Sequence, residues 1–305
     1  MPELPEVETT VRDLQKKVLG RTFVDVWTDF PKVIKKPANF SQFKKEIKGK
    51  RIQRIWRRGK NILFDLSENK TLLIHQKLTG HLLFGRWEKV GDIWQGSIGP
   101  LSEKINSYIH LLFTFDTGEM LALSDLRKFA KTELWKSLEL EESEGFKNLG
   151  PEPLEKNFTF EKFKEVLKEK RAAKGEPRQR RGKIKQVLMD QTIIAGIGNI
   201  YSDEILWEAK IHPLRRVNHL RNSELKMIYQ NIKDVLLRAI QHKGSTIRSN
   251  VEEFRRPEGL QGEYQEQLNA YYQKGEKKCS RCGGTIQKAK IGSRNAHYCP
   301  QCQKL

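Results

Sequence analysis

The apolar residues near the start of the chain have the spacing of an amphipathic helix. Between Pro5 and Leu19 they recur at intervals of three and four positions, which places them on one face of an α-helix. Gly20 follows as a stop signal. The residues on that face are Leu4, Val7, Val11, Leu14 and Val18.

From about residue 22 to residue 135 the pattern changes to short apolar runs. The segments "NILFDL", "TLLIH", "YIHLLFTF" and "EMLALSDL" are rich in Ile, Leu, Phe and Thr. Turn residues separate them, as at Glu68–Lys70 and Asp116–Gly118. Runs of this length between turns predict antiparallel strands that form a sandwich or a barrel.

The second half of the chain has helical patterns. The segment "NLGPEPLEKN" (148–157) contains two prolines and a glycine and is the best linker. Helices are predicted at about 160–170, 183–190, 199–209 and 223–242, with Ser223 as the N-cap of the last. "RAAKGEPRQRRGK" (171–183) lacks periodicity and is predicted to be a solvated basic loop.

The predicted organisation is therefore an α+β chain of several domains. We expect an N-terminal β-sandwich domain at residues 1–145, a linker at 146–158, a helical domain at 159–265 and a cysteine-containing module at 266–305.

Composition favours a protein that binds a polyanion. The 305 residues carry a net charge of +19, and the calculated isoelectric point is about 9.7. Such a charge is typical of nucleic-acid binding, although a basic protein with incidental affinity for RNA is an alternative. An anionic membrane surface is less favoured, because the basic residues are spread along the chain. No apolar run is long enough to span a bilayer and the start lacks the apolar core of a signal peptide, so we expect a cytoplasmic, nucleoid-associated protein. We also expect it to be a monomer.

The four cysteines have the spacing of a zinc site. Two C-x2-C pairs are separated by sixteen residues, and four thiolates typically hold one structural Zn²⁺ with no open coordination position. Two disulfides are the alternative, which a reducing compartment disfavours. The four ligands would be Cys279, Cys282, Cys299 and Cys302.

The opening "MPELPE" contains a candidate nucleophile. Removal of Met1 would leave the secondary amine of Pro2 free, and this amine can condense with an aldehyde-type carbon to give an iminium ion. Glu3 and Glu6 lie close to it on one side of the predicted helix, where they can transfer protons or orient the amine. The alternative is ordinary helix capping, since prolines and acids favour first helical turns.

A glycine-rich turn precedes the helix that begins at Asn199. In "DQTIIAGIGNIYSDEILWEAKIHP" (190–213) the backbone amides at the helix start and the Asn199 side chain can bind one phosphate group. A helix-turn-helix that serves only packing is the alternative.

Together, "PELPEVET", this glycine turn and the ending "YCPQCQ" give the chain a resemblance to formamidopyrimidine-DNA glycosylase, along nearly its whole length. The resemblance implies an N-terminal β-sandwich flanked by helices, a helix-two-turn-helix domain and a C-terminal zinc finger. It also implies base-excision repair of double-stranded DNA that contains an oxidised base, by a glycosylase that is also an abasic-site lyase.

The resemblance assigns a role to each site residue. Pro2 would be the nucleophile at C1′, Glu3 the acid that assists sugar-ring opening, and Glu6 the support of the amine and the base pocket. Phosphate contacts would come from the side chains of four further residues, and three others would fill the space of the flipped base. The phosphate contacts are Lys60, which also assists catalysis, His75, Asn199 and Arg294; the void-filling residues are Leu78, Arg127 and Phe129.

Some positions depart from the family pattern or have ordinary structural interpretations. Leu78 stands where methionine is common, and Ala130 where glycine is usual. The segments 88–105 and 171–182 look extended. Leu78 and Phe129 could instead be core residues of their strands.

Two other functions remain open from the sequence. One is the endonuclease VIII branch of the family, which prefers oxidised pyrimidines. The other is a zinc-ribbon protein that binds nucleic acid without catalysis.

Overall fold

The computed structural model describes residues 1–96, 99–168, 180–247, 254–272 and 275–305. These residues form two compact units. The first, called here the N-terminal unit, comprises Met1–Lys147 and His242–Gln265. The second, the helical unit, comprises Asn148–Gln241 and Glu266–Leu305.

The units differ from the predicted domains in one segment. Residues 242–265 were assigned to the helical domain by sequence, whereas they pack with the N-terminal unit. The reason is a set of long-range contacts: Arg256 pairs with Asp13 at 2.9 Å, and Phe84 donates its backbone N–H to Pro257 O at 2.7 Å. No local pattern in the sequence encodes contacts of this separation.

The N-terminal unit is a β-sandwich flanked by helices. Its helices are α1 (Leu4–Val18), α2 (Phe40–Ile47), α3 (Ser137–Glu142) and α4 (Glu144–Lys147). Its strands are β1 (Phe23–Trp27), β2 (Ile34–Lys36), β3 (Ile52–Arg58), β4 (Asn61–Leu66), β5 (Lys70–His75), β6 (His81–Gly85), β7 (Trp87–Val90), β8 (Ile93–Gly96), β9 (Ile109–Phe115), β10 (Met120–Ser124) and β11 (Lys131–Lys136).

Two sheets enclose the core of this unit. One has the order β1-β9-β10-β6 and the other β2-β11-β5-β4-β3, while β7 and β8 form a separate hairpin. All pairings are antiparallel except that of β2 with β11. Phe113 from the first sheet and Phe64 from the second belong to one buried cluster, together with Val11 of α1. The predicted sandwich is confirmed.

The predicted first helix is also confirmed, because α1 buries the apolar face identified from the sequence. Each large aliphatic side chain buried there contributes about 1.5–3 kcal/mol relative to exposure. The four strand segments singled out in the sequence correspond to β4, β5, β9 and β10.

The helical unit contains α5 (Phe160–Val166), α6 (Ile184–Met189), α7 (Asn199–Glu208), α8 (Asn222–Gln241), β12 (Gln287–Ile291) and β13 (Arg294–Tyr298). The predicted linker is tied into this unit, since Gly150 N donates to Gln191 O at 2.8 Å and Ala195 N donates to Pro151 O at 3.1 Å.

The N-cap prediction for α8 was wrong. Ser223 lies inside the helix, which begins at Asn222. Glu224 accepts the backbone N–H of Arg221 at 2.8 Å, so a glutamate reaching back satisfies the free amide before the first turn. Most of the predicted basic loop, residues 171–179, lies outside the described residues, as do residues 97 and 98 of the 88–105 segment. Within the described ranges, none of the helices combines the length and apolar character that crossing a bilayer requires.

Candidate active site

The start of α1 buries a proline and two carboxyl groups together. Pro2 is buried, and Glu3 and Glu6 are each 2% exposed. Glu6 Oε2 accepts the backbone N–H of Glu3 at 2.8 Å, and Oε1 accepts the backbone N–H of Ser245 at 2.8 Å. Both carboxylate oxygens of Glu6 therefore accept hydrogen bonds from backbone N–H groups. Glu6 thus orients the start of the chain.

Gly244 allows the close approach of this segment to Glu6. Its φ is +75°, in the region that favours glycine. A Cβ atom added there would lie 3.0 Å from Cγ and Oε1 of Glu6. No pattern in the sequence predicts the contact with Ser245; a glycine directly before it is the only local signal.

Lys60 lies at the turn of the β3–β4 hairpin and is 7% exposed. One ion pair holds the hairpin to α1, since Arg57 contacts Glu8 at 3.1 Å. Within α1, Glu8 also contacts Arg12 at 2.8 Å. The fold thus keeps Lys60 in the same unit as Pro2 on an element bonded to the first helix.

His75 ends β5 and is a neutral hydrogen-bond donor. Its Nδ1 accepts the backbone N–H of Lys77 at 2.9 Å, which leaves the ring proton on Nε2. Burial, followed by the positive charges of Lys77, Lys131 and Lys60, lowers the pKa of His75 to about 3. A phosphate oxygen near this ring would therefore be met by a neutral N–H group.

The three predicted void-filling residues lie on two loops of the N-terminal unit. Leu78 is half-buried between β5 and β6, while Arg127 and Phe129 are exposed between β10 and β11. The Arg127 guanidinium lies over the Phe129 ring, 4.8 Å from its centroid. Phe129 is 50% exposed, so the alternative that it is a core residue was wrong.

Asn199 is the first residue of α7 in the helical unit, as predicted. The turn before it is shaped by Gly196, whose φ is +92°, and by Gln191. Gln191 accepts the N–H of Gly196 at 2.8 Å and donates to the carbonyl of Ile197 at 2.7 Å. The amides at this helix start are thereby held in place for an anion.

A buried lysine connects the start of α7 to the β12–β13 hairpin. Lys185 Nζ lies 2.6 Å from Asp203 Oδ1 and donates to Asn295 O at 2.9 Å; its distance to Asn199 O is 3.5 Å. Arg294 directly precedes Asn295 and is exposed. One ammonium group therefore contacts the backbone of Asn199 and the backbone of the residue that follows Arg294. No local pattern in the sequence indicates this role, because a lone lysine in a basic chain carries no signal.

The four cysteines lie together at the end of the chain. Their sulfur atoms are all within 4.8 Å of one another, with Cys279–Cys302 at 3.9 Å and Cys282–Cys299 at 3.5 Å. Tetrahedral zinc–thiolate bonds of about 2.3 Å require sulfur separations near these values. All four are free thiols, so the disulfide alternative is not supported. The residues fit a structural metal ion.

Family models match three successive parts of the chain. The formamidopyrimidine-DNA glycosylase N-terminal domain matches residues 1–132, the H2TH domain of the same enzyme matches residues 149–251, and the zinc finger found in FPG and IleRS matches residues 276–305.

Full-length relatives and solved structures agree with this assignment. Formamidopyrimidine-DNA glycosylase of Pelotomaculum thermopropionicum is 40% identical, with 100% of both chains covered, and that of Ligilactobacillus salivarius is 37% identical over 99% of both. A Lactococcus lactis FPG variant in complex with Fapy-dG-containing DNA superposes with a TM-score of 0.83 at 35% identity, over 100% of both chains. The L. lactis enzyme bound to DNA containing an abasic site gives 0.82 at 35%, over 99% of this chain and 100% of that one. With one family represented from the first residue to the last, the chain belongs to the formamidopyrimidine-DNA glycosylases, enzymes of base-excision repair.

Proposed function

We propose that this protein removes oxidised purines, including 8-oxoguanine and formamidopyrimidines, from double-stranded DNA and then cleaves the strand at the abasic site. The observation that carries the proposal is the burial of Pro2, Glu3 and Glu6 in one place at the start of α1. Both oxygens of Glu6 accept backbone N–H groups, which offsets the cost of burying this carboxylate and fixes the start of the chain.

The chemistry begins with the secondary amine of Pro2, once Met1 has been removed. Its lone pair forms a bond to C1′ of the damaged nucleoside, the glycosidic bond breaks, and the base leaves with the proton that the prolyl nitrogen loses. Glu3 protonates the ring oxygen O4′, so that the sugar opens to an iminium ion. Glu6 keeps the start of the helix in position for this attack.

Strand cleavage follows from the iminium. The cation acidifies the C2′ proton, whose removal expels the 3′ phosphate in a β-elimination. A second proton loss, from C4′, expels the 5′ phosphate in a δ-elimination. Water then hydrolyses the iminium ion and regenerates the Pro2 amine, so no redox or nucleotide cofactor is consumed.

The DNA backbone would be held by groups on both units. In the N-terminal unit, Lys60 and the neutral N–H of His75 would contact phosphate. In the helical unit the contacts would come from Asn199 with the α7 amides and from Arg294. Leu78, Arg127 and Phe129 would fill the space left by the flipped base. We expect a monomer to suffice, with one Zn²⁺ on the four cysteines for structure only.

The decisive experiment is borohydride reduction of the protein with duplex DNA that contains 8-oxoguanine. We expect a covalent adduct with the wild type and far less with Pro2→Gly, because the glycine variant has a primary amine at the terminus in place of the secondary prolyl amine. An adduct that forms unchanged with Pro2→Gly would contradict the mechanism. Pro5→Ala is the matched control, since Pro5 lies in the first turn of α1 and has no free amine. Intact mass first confirms that Met1 is absent.

Two results would refute the proposal. A protein that binds the duplex tightly but never nicks or cross-links it is a non-catalytic nucleic-acid-binding protein. A protein that excises thymine glycol much faster than 8-oxoguanine belongs functionally with the endonuclease VIII branch.

A further inference from the structure

The two loops that carry Leu78, Arg127 and Phe129 are joined through a buried pair, Thr79 and Asp125. Thr79 is 5% exposed and Asp125 1%. Thr79 Oγ1 donates to Asp125 Oδ1, and it accepts the backbone N–H of Arg127 at 3.1 Å. Thr79, which directly follows Leu78, is thus hydrogen-bonded both to Asp125 and to the backbone of Arg127.

Asp125 also closes the second loop on itself. Its Oδ2 accepts the backbone N–H of Ala130 at 2.7 Å, and its carbonyl accepts that of Lys128 at 3.0 Å. Lys128 has a φ of +56°, so the chain reverses between Arg127 and Phe129. The reversal leaves both side chains exposed and stacked on one another, and one carboxylate fixes its two ends.

Short contacts also fix the first loop, which lies between β5 and β6. Gly80 donates its N–H to Gln76 O at 3.1 Å, and a Cβ atom on Gly80 would lie 2.4 Å from that oxygen and 3.2 Å from Ala130 Cβ. His81 Nδ1 lies 3.2 Å from Thr79 O. Gly80 of the first loop therefore lies close to the Ala130 side chain of the second, and the Thr79 hydroxyl joins the two loops through Asp125 and the Arg127 backbone.

We propose that Thr79 and Asp125 are positioning residues that present Leu78, Arg127 and Phe129 as one preassembled insert, and that they thereby set discrimination of the base opposite the lesion. This inference rests on the proposed function, in which the insert enters the DNA stack. An insert ordered in advance does not lose conformational entropy when it enters the duplex, and Arg127 meets the orphaned base in a fixed geometry.

Removal of the Thr79 hydroxyl separates positioning from general stability. Thr79→Val keeps the shape but leaves Arg127 N–H without this acceptor and Asp125 Oδ1 without this donor. Thr79→Ser keeps both hydrogen bonds. Thr132→Val is the matched control, because Thr132 is a buried threonine whose hydroxyl has no hydrogen-bond partner among the described residues. Asp125→Asn, a change of equal size, is a second variant that alters the same network.

Three substrates, two duplexes and one single strand, make the test specific. A duplex with 8-oxoguanine opposite cytosine or adenine requires the insert, whereas a single strand with a preformed abasic site has no stack to enter. We expect Thr79→Val and Asp125→Asn to slow single-turnover excision opposite cytosine by about tenfold or more, which is the loss of a hydrogen bond to a charged group. In both variants, the ratio of the excision rate opposite cytosine to the rate opposite adenine should move towards one. Cleavage of the single strand should stay within about twofold, and Thr79→Ser and Thr132→Val should match the wild type.

The outcomes distinguish the two proposals. If the wild type itself does not excise 8-oxoguanine, the proposed function fails. If the wild type excises it and Thr79→Val is as fast and as selective, only the positioning role fails. An equal loss on the duplexes and the single strand, or no rescue by serine, would also overturn the positioning role, because it would show a merely structural residue.

Discussion

At the scale of single residues, burial determines the protonation state of two histidines in the N-terminal unit. His81 is 1% exposed, and burial lowers its pKa to about 4, although its hydrogen bonds to Thr79 and Asn106 and the charge of Asp125 act in the opposite direction. Arg255 adds to the lowering. The same effect keeps His75 neutral. These rings are packed in their uncharged form, so their protonation at low pH destabilises the folded state.

This predicts a pH-dependent loss of stability that His81 accounts for in part. The unfolded chain binds a proton on histidine near pH 6.5, while folded His81 does so only near pH 4, so its stabilisation is complete above 6.5 and falls as pH drops towards 4. The difference in unfolding free energy between wild type and His81→Gln should shrink by up to about 3 kcal/mol from pH 7 to pH 4. Urea unfolding across this range measures it, and parallel profiles of the two proteins would contradict it.

At the scale of elements, the helical unit depends on a charge pair that water does not reach. The side chains of Lys185 and Asp203 are 1% and 0% exposed, and His297 contacts the other Asp203 oxygen at 2.8 Å. The pair links α6, α7 and β13. These elements also carry Asn199 and Arg294, so we expect loss of the pair to displace the two proposed phosphate contacts.

Lys185→Met should therefore destabilise the helical unit by about 3–5 kcal/mol, since it leaves the Asp203 charge buried without its ammonium partner. Adding Asp203→Asn should recover part of this loss. The control is Lys162→Met, which breaks the exposed pair with Glu165 in the same unit and should cost at most about 1 kcal/mol. Thermal unfolding of the three variants provides the measurement; equal effects of Lys185→Met and Lys162→Met would argue against the buried pair.

At the scale of the whole molecule, the two units have different sources of stability. The N-terminal unit has a core formed by two sheets and α1. The cysteine segment has a small cluster in which Trp207 packs against Cys279, Ile286 and Cys299. A cluster of this size does not order a hairpin alone, so we expect a metal ion on the four cysteines to supply the remainder.

Removal of zinc by a chelator should accordingly affect the units unequally. Hydrogen exchange should show lost amide protection in β12 and β13 and unchanged protection in α1 and the two sheets. Salt-dependent DNA binding should weaken at the same time, because Arg294 loses its fixed position. Protection of the hairpin that survives removal of the metal would show that the cysteines do not hold a structural ion.

Local pattern predicted much of this organisation. The three- and four-residue spacing from Leu4 to Val18 is sufficient for α1, because a helix face is defined by neighbours along the chain. The C-x2-C pairs likewise imply a four-thiolate site through spacing alone. The N-cap prediction for Ser223 was wrong because two adjacent polar residues, Ser223 and Glu224, can each cap that helix end. In the structure it is Glu224 that accepts the backbone N–H of Arg221.

The sequence by itself determined the first helix, the strand-rich and helix-rich halves, the cysteine site and, through resemblance, the family. Only the tertiary structure decided that residues 242–265 join the N-terminal unit, that Ser245 bonds Glu6, that Lys185 links α7 to the hairpin, and that Thr79 and Asp125 join two loops. The physical reason is separation along the chain. Helices, turns and metal knuckles are selected by adjacent residues, whereas buried hydrogen bonds between distant segments exist only once the core has brought those segments together.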